Sequence, residues 1–441
     1  MNLNFTLSDK DFDGVASLSL DDFVAYMPSH QYIFKRTRDF WPAASVNSRI
    51  PPVVEDKKST SATAWLDANA PVEQATWAPG LPMIIKGKIV SDGGWIEDPS
   101  CSVFNLYRPP LLVPKPGNVD LWVDHIHFIY PDEASHIIAW LAHRVQCPHE
   151  KINHALVLIG SQGIGKDTLL EPVKQAVGPW NFAEVNPIQV LGRFNAFVKS
   201  VILRVSEVRD SGEFDRYSLY EHMKAVIAAP PDVLRVDEKH LHEYSVVNVT
   251  GVVITTNDRT NGLYLPAEDR RHYVAASSRK PTDFDADYWN RLYQWYDRGG
   301  NEAVAAYLSD LDISWFDPKA PPPKTQAFWE IVDTSRAPED AELADALDAL
   351  QHPPATTLVA IRSRVTSSEF AEWLGDRKNS RRIPHRMQSC GYIPIRNPDA
   401  ASDGLWKLGG RRQVIYVKNS LSQRDALVAA RGLMNGGGDL P

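Results

Sequence analysis

The chain has 441 residues, 43% of them hydrophobic and 23% charged. At roughly 150 residues per domain this predicts about three domains with cores of their own, which excludes wholesale disorder. Lys and Arg number 47 against 55 Asp and Glu, a net charge of −8. A protein that coats DNA with its whole surface is thereby excluded, and any nucleic-acid contact must use a local basic patch or a channel.

Cys101, Cys147 and Cys390 are scattered and form no CxxC pair, which argues against a zinc ribbon or a disulfide framework and favours a reducing cytosol. No apolar run approaches about 18 residues, so no membrane span or membrane partner is expected. The opening MNLNFTLSDKDFDG has no apolar h-region, so no signal peptide is expected either.

Residues 1–115 read as a mixed or β-rich region without a chemical motif, and DFDG at 11–14 reads as a turn. DDFVAYMPSHQYIF and the stretch around Trp65 are expected as short helices. Lys86–Ile96 is expected as strand, Gly-Gly turn and strand, and 100–110 as a strand stopped by a Pro pair. Residues 131–147 carry apolar side chains at helical spacing, with Pro131 and Asp132 at the start. HALVLIG (154–160), VILRVSE (201–207) and GVVITTN (251–257) are short apolar runs of the kind buried in a parallel sheet. Helical patterns separate them, so the middle of the chain is expected to be an α/β domain.

The sharpest motif is Gly160-Ser-Gln162-Gly163-Ile-Gly165-Lys166-Asp167-Thr168, a G-x-x-x-x-G-K loop between a strand and a helix. Its glycines turn backbone N–H groups toward phosphates, the following helix adds its positive end, and Lys166 neutralises the β- and γ-phosphates. Asp167 stands where the motif normally has Ser or Thr, with Thr168 one step later. A carboxylate there repels phosphates unless a cation intervenes, so Asp167 is a candidate Mg²⁺ ligand, with Thr168 the alternative. Glu207 ends the second strand and is the candidate for polarising the attacking water and for a metal contact, ahead of Asp210. Asn257 ends the third strand, where it can bond a γ-phosphate or water. Arg270 and Arg271 precede a strand-like segment, from which one can stabilise a neighbour's transition state.

Between Glu207 and Asn257, residues 224–249 read as a helix end, a Pro-Pro turn and a β-hairpin with Lys239 and His240 near its tip, placed to grip DNA phosphates. PKAPPPK (318–324) reads as a linker and 338–351 as an acidic helix. Ser367 or Ser368 caps a helix through 376; a basic helix starts near Pro384; and GLWKLGGRRQVIYVK is strand, turn, strand. Arg377, Lys378, Arg381, Arg382, Arg386, Arg411 and Arg412 make this part basic. That order is similar to a winged helix and favours phosphate contact. His136, His143, His149 and His154 fit no single helix face and read as ordinary core or solvated histidines. Most of the 13 tryptophans are expected in cores.

The order strand, P-loop, strand–acid, hairpin, strand–Asn and Arg-Arg resembles the superfamily 3 helicases, a branch of the AAA+ ATPases. The likeness is to the helicase part of phage- and plasmid-type primase–helicases. It covers about residues 100–280, carried by IIAWLAHRVQCP, HALVLIGSQGIGKDTLL, KAVIAAPP, VITTND and EDRRHYV. The resemblance implies Mg·ATP at subunit interfaces, a homo-oligomeric hexameric ring and single-stranded DNA in its pore. It implies nucleotide and metal contacts at Lys166, Asp167 and Thr168, Glu207 as catalytic acid, Asn257 as γ-phosphate sensor and Arg270 or Arg271 as arginine finger.

The expected architecture is therefore α/β. It comprises a mixed N-terminal region (1–115), an AAA+-like P-loop parallel-sheet core (116–317), a winged-helix-like module (335–420) and a tail (421–441). No paired-carboxylate primase signature is found, so a standalone helicase is expected, with any primase or polymerase on another chain. The expected function is an ATP-dependent DNA helicase or translocase of phage or prophage replication in the bacterial cytoplasm. The alternatives are a non-translocating AAA+ switch, as in an origin-binding initiator or defence-related sensor, and a nucleic-acid-binding scaffold.

Overall fold

The computed structural model describes residues 18–206, 208, 216–239, 241–258, 262–334, 338–376, 379–380, 383–400 and 403–435. The chain divides into two compact units, one ending at Val332 and the other starting at Asp333. Among the described residues no helix is long and apolar enough to cross a membrane.

The first unit begins with β1 (Phe23–Tyr26) and β2 (Gln31–Phe34). These strands pair antiparallel, so the short helix expected here is corrected to a hairpin. The turn between them uses His30 at φ +52, and the aromatic and β-branched residues on either side pack on a pleated surface. With β3 (Phe40–Trp41), α1 (Ala43–Arg49), the small β4 (Val53–Glu55) and β5 (Lys58–Thr60) hairpin, α2 (Ala62–Asn69) and β6 (Pro71–Val72), they build a sheet of order β3-β2-β1-β6. Trp65 lies in α2, as expected. A second sheet, β7-β9-β8, combines β7 (Gln74–Thr76), β8 (Ile84–Ser91) and β9 (Gly94–Asn105). The Gly-Gly turn joins β8 to β9, and β9 runs on to absorb the strand expected after residue 100.

Helices α3 (Asp120–Ile129) and α4 (Ala134–Gln146) lead into the core. There β10 (Ala155–Ile159), α5 (Glu171–Val177), β11 (Phe182–Val185), α6 (Pro187–Val190), β12 (Ile202–Val205) and α7 (Arg216–Ile227) follow in turn. The expected hairpin comes next as β13 (Val233–Val236) and β14 (Tyr244–Val247), before β15 (Gly251–Thr256) and β16 (His272–Ala276). Five strands form one parallel sheet of order β11-β12-β15-β10-β16. The α/β class with a P-loop-like parallel core is thus what the fold shows. Every residue of β10 and β15 is buried, because helices cover both faces. A fully buried Val, Leu or Ile contributes about 2 kcal/mol, so this sheet is a rigid platform. The unit closes with α8 (Tyr288–Trp295), α9 (Asn301–Asp310) and α10 (Gln326–Thr334).

The second unit has its own core around Leu347, Ile361, Met387 and Tyr416. It contains α11 (Pro338–Ala349), β17 (Ala355–Thr357), α12 (Leu358–Arg362), α13 (Ser368–Gly375) and α14 (Ile383–Ser389). Then come β18 (Tyr392–Ile395), β19 (Trp406–Leu408), β20 (Arg411–Gln413), β21 (Ile415–Lys418) and α15 (Gln423–Asn435). Ser367 caps α13 by accepting from the Phe370 N–H at 3.1 Å. The expected strand-turn-strand is present as β19 and β20 around Gly409 and Gly410, while β21 joins a separate sheet of order β17-β21-β18.

Candidate nucleotide site

The loop after β10 sits at the carboxyl edge of the parallel sheet, where ligands bind in open α/β folds. It borders a cavity of about 490 Å³ lined by Gln162, Gly163, Gly165, Lys166, Asp167 and Thr168 from the loop, and by Asn257 beyond β15. Arg204, Ser206, Thr255, Thr256, Trp289 and Tyr293 complete its wall. Seven of the residues expected from sequence are therefore brought together here. Gly160 joins them through its carbonyl, which accepts from Lys166 Nζ at 2.6 Å.

Local geometry explains the glycines. Gly163 and Gly165 have φ of +83° and +84°, the left-handed region that side chains disfavour. A Cβ on Gly165 would lie 2.6 Å from His125 Nε2 and 2.7 Å from the Trp289 ring. The buried His125 imidazole braces the loop from α3, with Nε2 3.2 Å from the Gly165 carbonyl and Nδ1 2.7 Å from the Tyr288 hydroxyl. Burial holds its pKa below the ordinary histidine value. A full helix was expected right after the loop. The structure has a single 3-10 turn at Thr168–Leu170 and then the seven-residue α5, with Pro172 in its first turn. Proline is tolerated there because its missing N–H would be unpaired anyway.

Lys166 is folded onto its own loop. Its Nζ donates to the Gly160 and Ser161 carbonyls and, at 2.7 Å, to Asn257 Oδ1. Burial lowers its pKa, with Arg204 adding to this and Asp167 opposing it. Asp167 is more than half exposed and pairs with Arg204, its Oδ1 2.5 Å from Nη2. Arg204 comes from the middle of β12, is mostly buried, and also reaches Thr255 Oγ1 at 3.4 Å. Sequence reading missed Arg204, because one cation inside an apolar strand carries no motif. Its signal was the burial expected of that strand, which a lone Arg satisfies only with a partner. The Thr168 hydroxyl is 2.9 Å from the Tyr293 hydroxyl, and Tyr296 donates to the Thr168 carbonyl at 3.0 Å. Trp289, Tyr293 and Tyr296 recur at i, i+4 and i+7, a one-face spacing that was readable in the sequence.

Arg270 and Arg271 lie elsewhere. The Arg271 carbonyl accepts from the Ala155 N–H at the amino end of β10, about 15 Å of strand away from the loop. Both line a second cavity of about 390 Å³ with Tyr217, Tyr220 and Lys224. Asp269 anchors this corner by accepting from the Tyr220 hydroxyl and the Arg271 and His272 N–H groups. Its carboxyl is held near pKa 2: burial pushes it up, but the His272 side chain and these donors outweigh that. Arg271 Nε is buried without a hydrogen-bond partner among the described residues.

Lys239 is exposed in the β13–β14 turn. The turn is not free-standing. Asp237 pairs with Arg193, and its N–H donates to Asn195 Oδ1 at 2.8 Å. Thr76 of β7 donates to the Ser245 carbonyl of β14 at 2.8 Å. Glu207, Asp210, His240, Arg377, Lys378, Arg381 and Arg382 lie outside the described residues. In the second unit Arg386 is half-buried with its guanidinium 4.9 Å from the Trp373 ring, Arg411 is exposed on β20, and Arg412 pairs with Asp403.

The histidines set aside in the sequence are partly assembled. His136 and His154 approach to 3.0 Å between Nε2 atoms. His143, Cys147 and Glu150 form a ligand-like group within 4.8 Å, the one such group among the described residues. Arg144 donates to His143 Nδ1 at 2.7 Å. Arginine only donates, so Nδ1 accepts and the Nε2 facing Glu150 carries the proton. The lone pair a metal needs is thereby taken.

A family model described as a family of unknown function (DUF5906) matches residues 158–271, which include the loop, β12, the hairpin, β15 and both arginines. No curated protein sequence matches the chain. Among solved structures, the apo structure of the NrS-1 C terminal region covers 90% of this chain and 95% of its own at TM-score 0.60 and 15% identity. Its A form apo structure gives 0.58 and 15%, over 90% and 96%. These likenesses show a shared fold. The X-ray structure of JCV Helicase aligns over 54% of this chain and 66% of that one at TM-score 0.28 and 10% identity, too loose to define a common fold.

Proposed function

We propose that this chain is an ATP-dependent DNA helicase or translocase of phage or prophage replication, assembled as a ring, most simply a hexamer, around single-stranded DNA. The observation that carries the reading is Lys166, held 2.7 Å from Asn257 in a 490 Å³ cavity at the carboxyl edge of a parallel sheet. The fold shared with the NrS-1 C terminal region agrees with it.

The residues present fit Mg·ATP. Lys166 releases its loop carbonyls to meet the β- and γ-phosphates. Asn257 stays in reach of the γ-phosphate, as it already bonds the same ammonium. Thr168 Oγ1 and the Asp167 carboxylate are the hard oxygen donors for Mg²⁺. Mg²⁺ held by these oxygens would supply charge neutralisation at the phosphates. Arg204 offsets the Asp167 charge beside the phosphates. Glu207 is assigned to orient the attacking water. Arg270 or Arg271 acts on the site of the adjacent subunit, since each lies at the far edge of its own sheet. The basic residues of the second unit, Arg381, Arg382, Arg386 and Arg411, are assigned to DNA contact on a winged-helix-like module, with Lys239 and His240 assigned to the strand at the hairpin.

Steady-state ATP hydrolysis with and without single-stranded DNA, beside Lys166→Ala, tests this. Turnover stimulated by DNA and abolished in the variant supports a motor. DNA-independent turnover moves the assignment to an AAA+ switch, a reading favoured by the pre-engaged Lys166 and Asp167. Absence of turnover leaves a binding scaffold.

A further inference from the structure

The N-terminal region, which carries no motif, contributes to a third cavity, of about 490 Å³. Its wall brings together Arg38 before β3, Arg108 after β9, Lys199 before β12 and Lys239 in the hairpin turn, against Asp39 and Glu238. Lys199 is paired with Glu238. Arg38, Arg108 and Lys239 are left with one acid among them, and that acid, Asp39, accepts from Thr37.

The two arginines are held in place without an anion. Arg38 has φ +69, a conformation a long side chain rarely adopts. Its Nη1 donates to the Lys35 carbonyl at 2.7 Å, and its guanidinium lies 5.1 Å from the Phe104 ring. Its Nε is buried and has no hydrogen-bond partner among the described residues. Burial and the nearby Arg108 both lower its pKa, so two like charges face one partly desolvated space. Arg108 is fixed twice by one residue: Trp180 Nε1 donates to its carbonyl at 2.8 Å, and its guanidinium stacks 4.3 Å from the Trp180 ring. Planar, preset guanidinium groups suit phosphate oxygens.

The aromatic rings on this wall are already engaged. Trp180 is covered by Arg108, Trp77 meets Tyr107 at 5.8 Å, and Phe40 meets Tyr26 at 5.2 Å. The cationic lining of the cavity suits phosphate oxygens. Lys239 at its rim extends the positive path onto the exposed hairpin turn. We propose that this cavity is a phosphate site for the backbone of single-stranded DNA, which the N-terminal sheet and the hairpin hold together. The strand as the phosphate source rests on the motor reading; the anion site itself does not.

The test is fluorescence anisotropy of labelled oligo-dT with the full chain, without nucleotide, over a salt series. Arg38→Gln with Arg108→Gln is expected to weaken binding at least tenfold. The log–log salt slope should become less negative by about 0.7 for each cation removed. Arg108→Gln alone, which keeps the backbone carbonyl that Trp180 holds, should make the slope less negative by about 0.7 and carries the test if the arginine pair melts early. Unchanged affinity and slope in the folded variants overturn the site. In a Lys166→Ala background, millimolar ATP should leave the complex intact; displacement there overturns the strand as the source. Because no nucleotide enters the main measurement, loss of the ATPase reading at Lys166 does not affect it.

Discussion

At the scale of single residues, the pair Asp167–Arg204 is the departure from a standard phosphate loop that the structure resolves. A carboxylate beside a triphosphate is unfavourable, and Arg204, mostly buried and 2.5 Å from it, supplies the compensating charge. Arg204→Gln should therefore raise the KM for ATP about tenfold, or about 1.4 kcal/mol, with Asp167 left unbalanced. Adding Asp167→Asn should recover much of that loss where Thr168 holds Mg²⁺, and deepen it where Asp167 does. A double-mutant cycle on KM reads the coupling, expected at about 1–2 kcal/mol for contacting charges. Strictly additive effects would show that the two residues act separately.

At the scale of elements, the histidines of α4 and the one just before β10 make the core sensitive to acid. Burial lowers the pKa of His136 to about 4, and of His143 and His154 to about 3. The like charge of Arg144 adds to the shift of His143 and, with neighbouring histidines, to that of His154. The His136–His154 hydrogen bond needs one ring to accept, so it is incompatible with both being charged. Unfolding restores values near 6.5, so the unfolded chain binds more protons between pH 6.5 and about 4. Stability is complete above pH 6.5 and falls as pH drops, by up to about 1.4 kcal/mol per pH unit for each histidine. Thermal melts should show Tm dropping steeply from pH 6.5 to 4.5, and His154→Asn should flatten that dependence. A flat profile in the parent chain would exclude the buried neutral histidines.

The same elements show what sequence can display. Runs such as Ala155–Ile159 are legible because parallel strands are apolar on both faces, and the loop between β10 and α5 is legible because phosphate chemistry demands Gly and Lys at fixed spacing. Phe23–Phe34 is misread as helix because a short aromatic run has no decisive period, and only the partner strand settles it. Arg204 and Arg38 are invisible as site residues because their meaning lies in partners 37 and 70 positions away, Asp167 and Arg108.

At the scale of the whole molecule, the phosphate loop and the two arginines lie at opposite edges of one sheet. Lys166 lies at the carboxyl edge of the sheet and Arg271 at the amino edge, with its Nε buried and without a hydrogen-bond partner among the described residues. A rigid parallel sheet cannot bring its two edges together, so Arg270 or Arg271, in the role proposed above, would act on the loop of another copy. Head-to-tail packing satisfies this at every interface of a closed ring. The test is complementation. Lys166→Ala alone and Arg270→Ala with Arg271→Ala alone should each lose ATP turnover by about a hundredfold or more. Mixed one to one and reassembled, a subunit with an intact loop can sit beside one with intact arginines. Random assortment makes roughly a quarter of the interfaces whole, so turnover should recover to at most about that share. Arginines acting within their own subunit would give no recovery at any ratio, since each chain in the mixture lacks one half of its site.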